Sequence, residues 1–147
     1  MDTTAFAERI MEISPRLVKA IASYESNDLA RGKITLPQFW ALHSLAQGRC
    51  KMKSLAQQLG TSPAAATGLT NRLVSQGLVV REHDHKDRRI VWIGLSSRGR
   101  ESIGRIRKQR IRAIVALFCG LPEAERDDYL RILEKVVKNA GISAVTT

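Results

Sequence analysis

Acidic residues, cysteines and long apolar runs are all scarce in this chain of 147 residues. Asp and Glu number 14 against 24 Lys and Arg, which gives a formal net charge of +10. Two cysteines do not make a disulfide framework and favour a reduced, cytosolic chain. No apolar run reaches the roughly 18 residues that a membrane-spanning helix needs. The N-terminus carries acidic residues and no continuous apolar stretch, which is not typical of a secretory signal.

Signatures of common enzymes are missing as well. The sequence contains no G-x-S-x-G, H-E-x-x-H, P-loop or Rossmann glycine pattern. Carboxylates in the central region are few, so pairs suited to acid–base chemistry are not evident. We therefore expect neither an enzyme nor a bound cofactor.

The positive charge is concentrated in the middle of the chain. Residues 31–110 hold 16 Lys and Arg against 4 Asp and Glu, whereas the remaining residues hold 8 against 10. A basic excess confined to one region is the electrostatic footprint of a polyanion partner. Double-stranded DNA is favoured over an acidic protein or an anionic membrane.

Two short helices joined by a glycine turn are predicted inside this basic region. Ser62 and Pro63 suit the start of the second helix, and Gly77 suits the position just beyond its end. Gly60 and Thr61 supply the turn between the helices. This pattern predicts a helix-turn-helix, whose second helix enters the major groove of DNA. The inward stripes are Leu55, Ala56 and Leu59 on the first helix, and Ala66, Leu69 and Leu73 on the second.

The outward face of the second helix is small or polar and contains no acidic residue. A solvated helix face usually mixes Glu and Lys, so this composition favours a face that presses into a groove. Asn pairs with adenine and Arg with guanine through two hydrogen bonds each. The predicted DNA-contacting residues of this face are Ser62, Ala64, Thr67, Gly68, Asn71 and Arg72.

A β-hairpin with a basic tip is predicted next. Its strands begin at Leu78 and at Ile90, and the polar residues 83–89 form the tip. Arg88 is the candidate for the minor groove, where a guanidinium recognises groove width and potential. The wing residues predicted to contact DNA are Lys86, Asp87, Arg88 and Arg89, and Lys51 and Lys53 are predicted to contact phosphates. For Lys86 a plain solvated charge is an equal alternative.

The run from Leu78 to Gly99 resembles the wing of the MarR (multiple antibiotic resistance regulator) family. Leu36-Pro37-Gln38-Phe39 resembles the start of a helix in the same family. The resemblance implies a DNA-binding regulator, more often a repressor, in the cytoplasm or on the nucleoid of a bacterium or archaeon. It also implies a small aromatic or phenolic effector, and a pair between Arg72 and Asp87. The matching wing positions are Gly77, Leu78, Arg81, Asp84, Asp87, Arg88, Arg89, Leu95, Ser96 and Gly99.

The two ends of the chain are predicted to be amphipathic helices. The expected fold is mainly α with a small β-hairpin wing. A winged helix-turn-helix lobe (35–97) lies between an N-terminal dimerisation helix (1–34), kinked or restarted near Pro15, and C-terminal dimerisation helices (98–147). These apolar helices would bury one another across a two-fold axis, which places two recognition helices roughly 34 Å apart on a pseudo-palindrome. The apolar positions are Phe6, Ile10, Ile13, Leu17, Ile21 and Tyr24 at the start, and Ile103, Ile106, Ile111, Ile114, Leu117, Phe118, Leu130, Leu133, Val136 and Val137 at the end.

Trp40 and His43 have two interpretations. The plainer one places Phe39, Trp40 and Leu42 in the core. The other places Trp40 and His43 on the wall of an effector pocket between the DNA lobe and the dimer helices.

Three further alternatives concern the signal and the mode of binding. Cys50 lies among basic residues that lower a thiol pKa, so Cys50 or Cys119 could sense oxidants. His83 and His85, on one strand face with Asp87 nearby, could hold a divalent metal. The basic surplus also allows an architectural protein that binds DNA without sequence preference; such a protein would show a steep salt dependence.

Overall fold

Six helices and three short strands make up the computed structural model, which describes residues 1–25 and 28–141. The predicted mainly helical fold with a winged helix-turn-helix is confirmed. The elements are α1 (Thr3–Ser23), α2 (Leu36–Leu45), β1 (Cys50–Lys51), α3 (Met52–Gln58), α4 (Pro63–Ser75), β2 (Val79–His83), β3 (Val91–Leu95), α5 (Ser97–Phe118) and α6 (Glu123–Asn139).

The wing belongs to an antiparallel sheet of three strands in the order β1-β3-β2. Val79 pairs with Leu95 and His83 with Val91, while Cys50 of β1 pairs with Ile93. The sequence predicted a two-stranded hairpin only. The third strand has two residues, which is too short to produce a period-two pattern, so no sequence signal marked it.

The recognition helix α4 begins and ends where its capping residues predict. The Ser62 hydroxyl accepts a hydrogen bond from the Ala65 amide at 3.1 Å, and Pro63 is the first helical residue. Gly77 has φ of 70°, a left-handed conformation that a residue with a side chain rarely adopts. Ala66 and Leu73 are buried as predicted, and Leu69 packs against the core. Thr70 is also fully buried, with its hydroxyl 3.7 Å from the Met52 sulfur.

The core of the lobe lies between α2, α3, α4, α5 and the sheet. Its largest fully buried side chains include Leu42, Leu55, Leu73, Ile93 and Ile106. Phe39 and Leu42 are buried as expected, but Trp40 is 49% exposed, so its placement in the core was wrong.

The start of α5 is fastened to the end of the recognition helix. The Ser96 hydroxyl accepts from the Gly99 amide at 2.9 Å and donates to the Gly77 carbonyl at 2.6 Å. Gly99 lies against Leu78, the residue that follows Gly77. A Cβ atom on Gly99 would be 1.9 Å from the Leu78 carbonyl oxygen. A glycine is therefore required at this joint.

The terminal helices leave apolar faces exposed. α1 packs on α5 and runs without interruption through Pro15, so no restart occurs there. Ile103 and Ile106 are buried, whereas Ile111 and Ile114 further along α5 are 50% and 44% exposed. No helix among the described residues is both long and apolar enough to cross a membrane. The sequence also predicts a break between helices at 27–33 and a frayed tail at 143–147. The first lies partly outside the described residues, and the second lies entirely outside them.

Candidate nucleic-acid interface

The outward face of α4 presents the predicted recognition residues together. Ser62, Ala64, Thr67, Gly68, Asn71 and Arg72 are all exposed. The Thr67 hydroxyl donates to the Pro63 carbonyl at 2.8 Å, so its proton is used within the helix while its oxygen can still accept. Because the opposite face of α4 packs into the core, this small, acid-free surface is held outward on a rigid element.

Asn71 has a partner that the sequence analysis did not predict. Arg81 on β2 donates from Nη2 to the Asn71 Oδ1 atom at 2.5 Å. In the sequence, Arg81 is marked only as a position that matches the wing pattern. The position of Arg81 shortly after Gly77 could have indicated this contact, because the chain turns at Gly77 and β2 then lies alongside α4.

The wing tip is organised by two aspartates. Asp87 accepts from the Arg89 amide at 3.0 Å and from Nε and Nη2 of the same residue at 3.1 and 3.2 Å. Those bonds from Arg89, the side chain first, hold the pKa of the Asp87 carboxyl below its ordinary value. The pKa of Asp84 is also lowered, mainly by the bond from the Lys86 amide and then by that from the Trp92 indole. Both carboxylates therefore stay charged while they shape the tip.

These contacts replace the pair that the family resemblance implied. The Asp87 carboxylate is bound by Arg89, and Arg72 instead lines a cleft on the other flank of α4. The positive charge of Arg89 is thus partly neutralised by Asp87. Arg72 makes no bond to that aspartate and lies where the recognition face meets the cleft.

Arg88 is an exposed cation of the tip whose side chain is available for binding. Its backbone carbonyl contacts His83 Nδ1 at 2.8 Å, while its side chain is exposed. Within residues 1–25 and 28–141, the Arg88 guanidinium makes no hydrogen bond or ion pair. It can therefore extend toward a groove at no cost in broken contacts.

The predicted phosphate contacts differ in their surroundings. Lys51 lies 5.6 Å from the Trp92 ring centroid, and Arg49 lies over the same ring at 4.9 Å. Lys53 is exposed on α3, and Lys86 is exposed in the tip. The Arg49 guanidinium also pairs with Glu82 at 3.6 Å. Lys53 and Lys86 are consequently the less constrained cations of this group.

Trp40 and His43 line a cleft of about 850 Å³ on the flank of the recognition helix. The far wall is formed by the α3–α4 turn and by Ala65, Gly68 and Arg72 of α4. The predicted effector pocket lay between the DNA lobe and the dimer helices, whereas these walls all belong to the lobe. His43 additionally lines a second cleft, of about 500 Å³, between the sheet and α5.

The surroundings of Cys50 and of the two histidines differ from those that the thiol and metal alternatives assumed. Cys50 packs against the core, and burial raises the pKa of its thiol, opposite to the lowering expected from its basic neighbours. Only His83 lies in β2, because the strand ends there and His85 lies in the tip. In the part of the chain that the structure describes, no three His, Cys, Asp or Glu side chains group to hold a metal.

Comparisons with known proteins agree with this architecture. The model of the MarR family matches residues 34–91. YwhA of Bacillus subtilis strain 168, described as an uncharacterized helix-turn-helix-type transcriptional regulator, is 32% identical over 91 residues, which are 62% of this chain and 66% of YwhA.

Solved structures match over nearly the whole chain. A MarR family protein from Bacillus stearothermophilus superposes with a TM-score of 0.76 at 25% identity, covering 96% of this chain and 99% of that one. BpsR of Bordetella bronchiseptica, whose DNA binding is regulated by 6-hydroxynicotinic acid, gives a TM-score of 0.66 at 25% identity and 92% coverage of both. The chain therefore belongs to the MarR family, and it is a DNA-binding transcriptional regulator.

Proposed function

We propose that this regulator is a homodimeric repressor that binds a pseudo-palindromic operator and is released by a small organic effector. The observation that carries the proposal is the acid-free face of α4 beside the exposed Arg88 at the wing tip. The proposed site of action is the cytoplasm of a bacterium or archaeon.

Sequence-specific binding is supported by how the two DNA-facing parts are built. The α4 face offers Asn71 and Arg72, whose side chains can bond base edges in the major groove. Arg88 projects from the neighbouring tip, where a minor groove would lie, and Lys53 and Lys86 can hold phosphates. Two kinds of groove contact from one rigid lobe favour a defined site over indiscriminate binding.

A homodimer is supported by the apolar surface of the terminal helices. A single chain exposes apolar side chains on α1, on the second half of α5 and along α6. Soluble monomers rarely expose continuous apolar patches of this kind, because burying them is favourable. A second copy of the same helices is the simplest cover. The exposed residues are Phe6, Ile10, Ile111, Ile114, Leu130, Ile132, Leu133, Val136 and Val137.

Effector control is supported by the cleft between Trp40 and α4. A volume of about 850 Å³ is ample for a small aromatic molecule. Because Gly68 and Arg72 belong both to the cleft wall and to the exposed face of α4, an occupant would touch the recognition helix directly. BpsR provides a precedent for control of DNA binding by a small aromatic molecule.

The first test is a footprint on the DNA upstream of the gene, with random DNA as competitor at physiological salt. We expect protection of one short inverted repeat, with a preference of about 10³-fold or more over competitor. Arg88→Ala should abolish the protection. Arg105→Ala, which removes the same charge from the exposed side of α5, should leave it intact. Competitor that displaces the operator with equal ease would instead establish an architectural protein.

The dimer is tested separately by sedimentation at micromolar concentration. We expect a mass of two chains for the wild type. Leu130→Glu should shift the protein toward one chain, because a charge would enter the proposed interface. A wild-type monomer at that concentration would contradict the dimer.

A further inference from the structure

We propose that Arg81 sets the base preference of the recognition helix by holding the Asn71 carbonyl oxygen, so that Asn71 contacts guanine and not adenine. The inference rests on the proposed sequence-specific binding and assigns a specificity role to a residue outside the recognition helix.

The fold explains why Arg81 reaches α4. Arg81 is paired with Ile93 in the β2–β3 ladder, and paired residues of neighbouring strands project to the same face of a sheet. Ile93 is buried against the helices, so this is the face turned toward α4. Arg81 is long enough to pass beyond the core, and its guanidinium meets Asn71 at the exposed margin.

The chemistry of the two groups fixes the orientation of the amide. A guanidinium carries only donors, so the Asn71 atom that faces Arg81 must be the carbonyl oxygen. The amide NH₂ group is then the part directed away from Arg81. Asn71 is thereby presented to DNA mainly as a donor.

A donor at this position favours guanine over adenine. Adenine is recognised by an Asn that donates to N7 and accepts from the N6 amino group, which requires a free carbonyl oxygen. The Asn71 oxygen keeps a second lone pair, but a guanidinium 2.5 Å away would face the adenine amino hydrogens and repel them. Guanine offers two acceptors, N7 and O6, which match the Asn71 NH₂ and a remaining Arg81 N–H.

The test is selection of binding sites from randomised half-sites by the full-length protein. Asn71→Ala identifies the base position that depends on Asn71, because its preference there should vanish. At that position the wild type should prefer guanine over adenine by about fivefold to 150-fold, the range of one good paired contact. Arg81→Met should erase this preference or turn it toward adenine, since the amide is released. Lys53→Met should weaken binding evenly at all positions, as loss of a phosphate contact does.

Other outcomes of the selection would contradict either the inference or the proposed function. The inference would be overturned if the wild type preferred adenine at the Asn71-dependent position. It would also be overturned if folded Arg81→Met kept the guanine preference unchanged. Unchanged preferences in Asn71→Ala would also overturn it, while leaving specific operator binding intact. A wild type without preference at any position would overturn the proposed function itself. If Arg81→Met fails to fold, the wild-type base at that position still decides.

Discussion

Replacing Gly99 by alanine should damage the joint between the recognition helix and α5. The added Cβ would lie 1.9 Å from the Leu78 carbonyl oxygen and 2.9 Å from its carbonyl carbon. Both are backbone atoms, so relief requires moving the start of α5 away from the turn after α4. Inserting a carbon into a packed site costs about 1–3 kcal/mol and occasionally more. An approach of 1.9 Å to a backbone atom puts the steric cost at the upper end of that range, about 3 kcal/mol. Alanine recovers roughly 1 kcal/mol through its better helix propensity, so a net loss of about 2 kcal/mol is expected.

Gly104 provides a matched control in the same helix. A Cβ atom there would meet nothing within 4 Å, so Gly104→Ala should stabilise the protein by roughly 0.5–1 kcal/mol through helix propensity alone. The two variants carry the same chemical change and should shift stability in opposite directions. Their free energies of unfolding should differ by about 3 kcal/mol.

The assay is urea unfolding followed by circular dichroism at one fixed protein concentration, because association contributes to apparent stability. Gly99→Ala should also weaken operator binding beyond its effect on the folded fraction, since the lobe would be displaced on α5. Equal stabilisation by both alanines would refute the close contact and the argument for a required glycine.

Two further predictions concern ionisable groups. Arg89 lowers the pKa of Asp87. The Asp87–Arg89 contact should therefore be fully present at pH values above the ordinary aspartate pKa and be lost as the pH falls through the lowered pKa. Carboxyl titration by nuclear magnetic resonance should show an Asp87 midpoint below the ordinary aspartate value that rises in Arg89→Met; no change in that variant would contradict the pairing. The pKa of the Cys50 thiol is raised by burial, so a thiol reagent near neutral pH should label exposed Cys119 first. Cys119→Ser should remove the fast phase, and a fast phase that survives would identify Cys50 as reactive after all.

The helices of the lobe were predictable because their signals are local. Ser62, Pro63 and Gly77 each satisfy a backbone requirement at a helix end, and those requirements depend on neighbours in sequence only. The Ser96 cap of α5 is equally local, since its hydroxyl bonds the amide of Gly99 three residues on. The apolar stripes of α3 and α4 follow from one helical period, and both stripes face the core, with Leu59 and Leu69 partly buried.

Features that depend on tertiary neighbours were missed or misplaced. The Arg81–Asn71 contact joins residues ten apart that lie on two different elements, and no helical or strand periodicity marks it. Trp40 lies on a largely apolar helix, so the sequence did not distinguish an exposed cleft wall from a core position. Cys50 has basic neighbours in sequence, but its pairing with β3 places the thiol against the core, where burial outweighs those charges.

The joint at Ser96 and Gly99 also has a mechanical consequence. The Ser96 hydroxyl donates to the Gly77 carbonyl, the Ser96 amide donates to the Leu78 carbonyl, and Gly99 lies against Leu78. Because these contacts fasten the joint, α5 and the recognition helix should swing as one rigid lever. With 22 residues, α5 is about 33 Å long at roughly 1.5 Å per residue. A tilt of about 6° at its far end would move the lobe by roughly 3.5 Å, close to the spacing of about 3.4 Å between successive base pairs. In the proposed dimer, an effector would therefore need only a small change of angle between the long helices of the two copies to shift both lobes out of register with the operator.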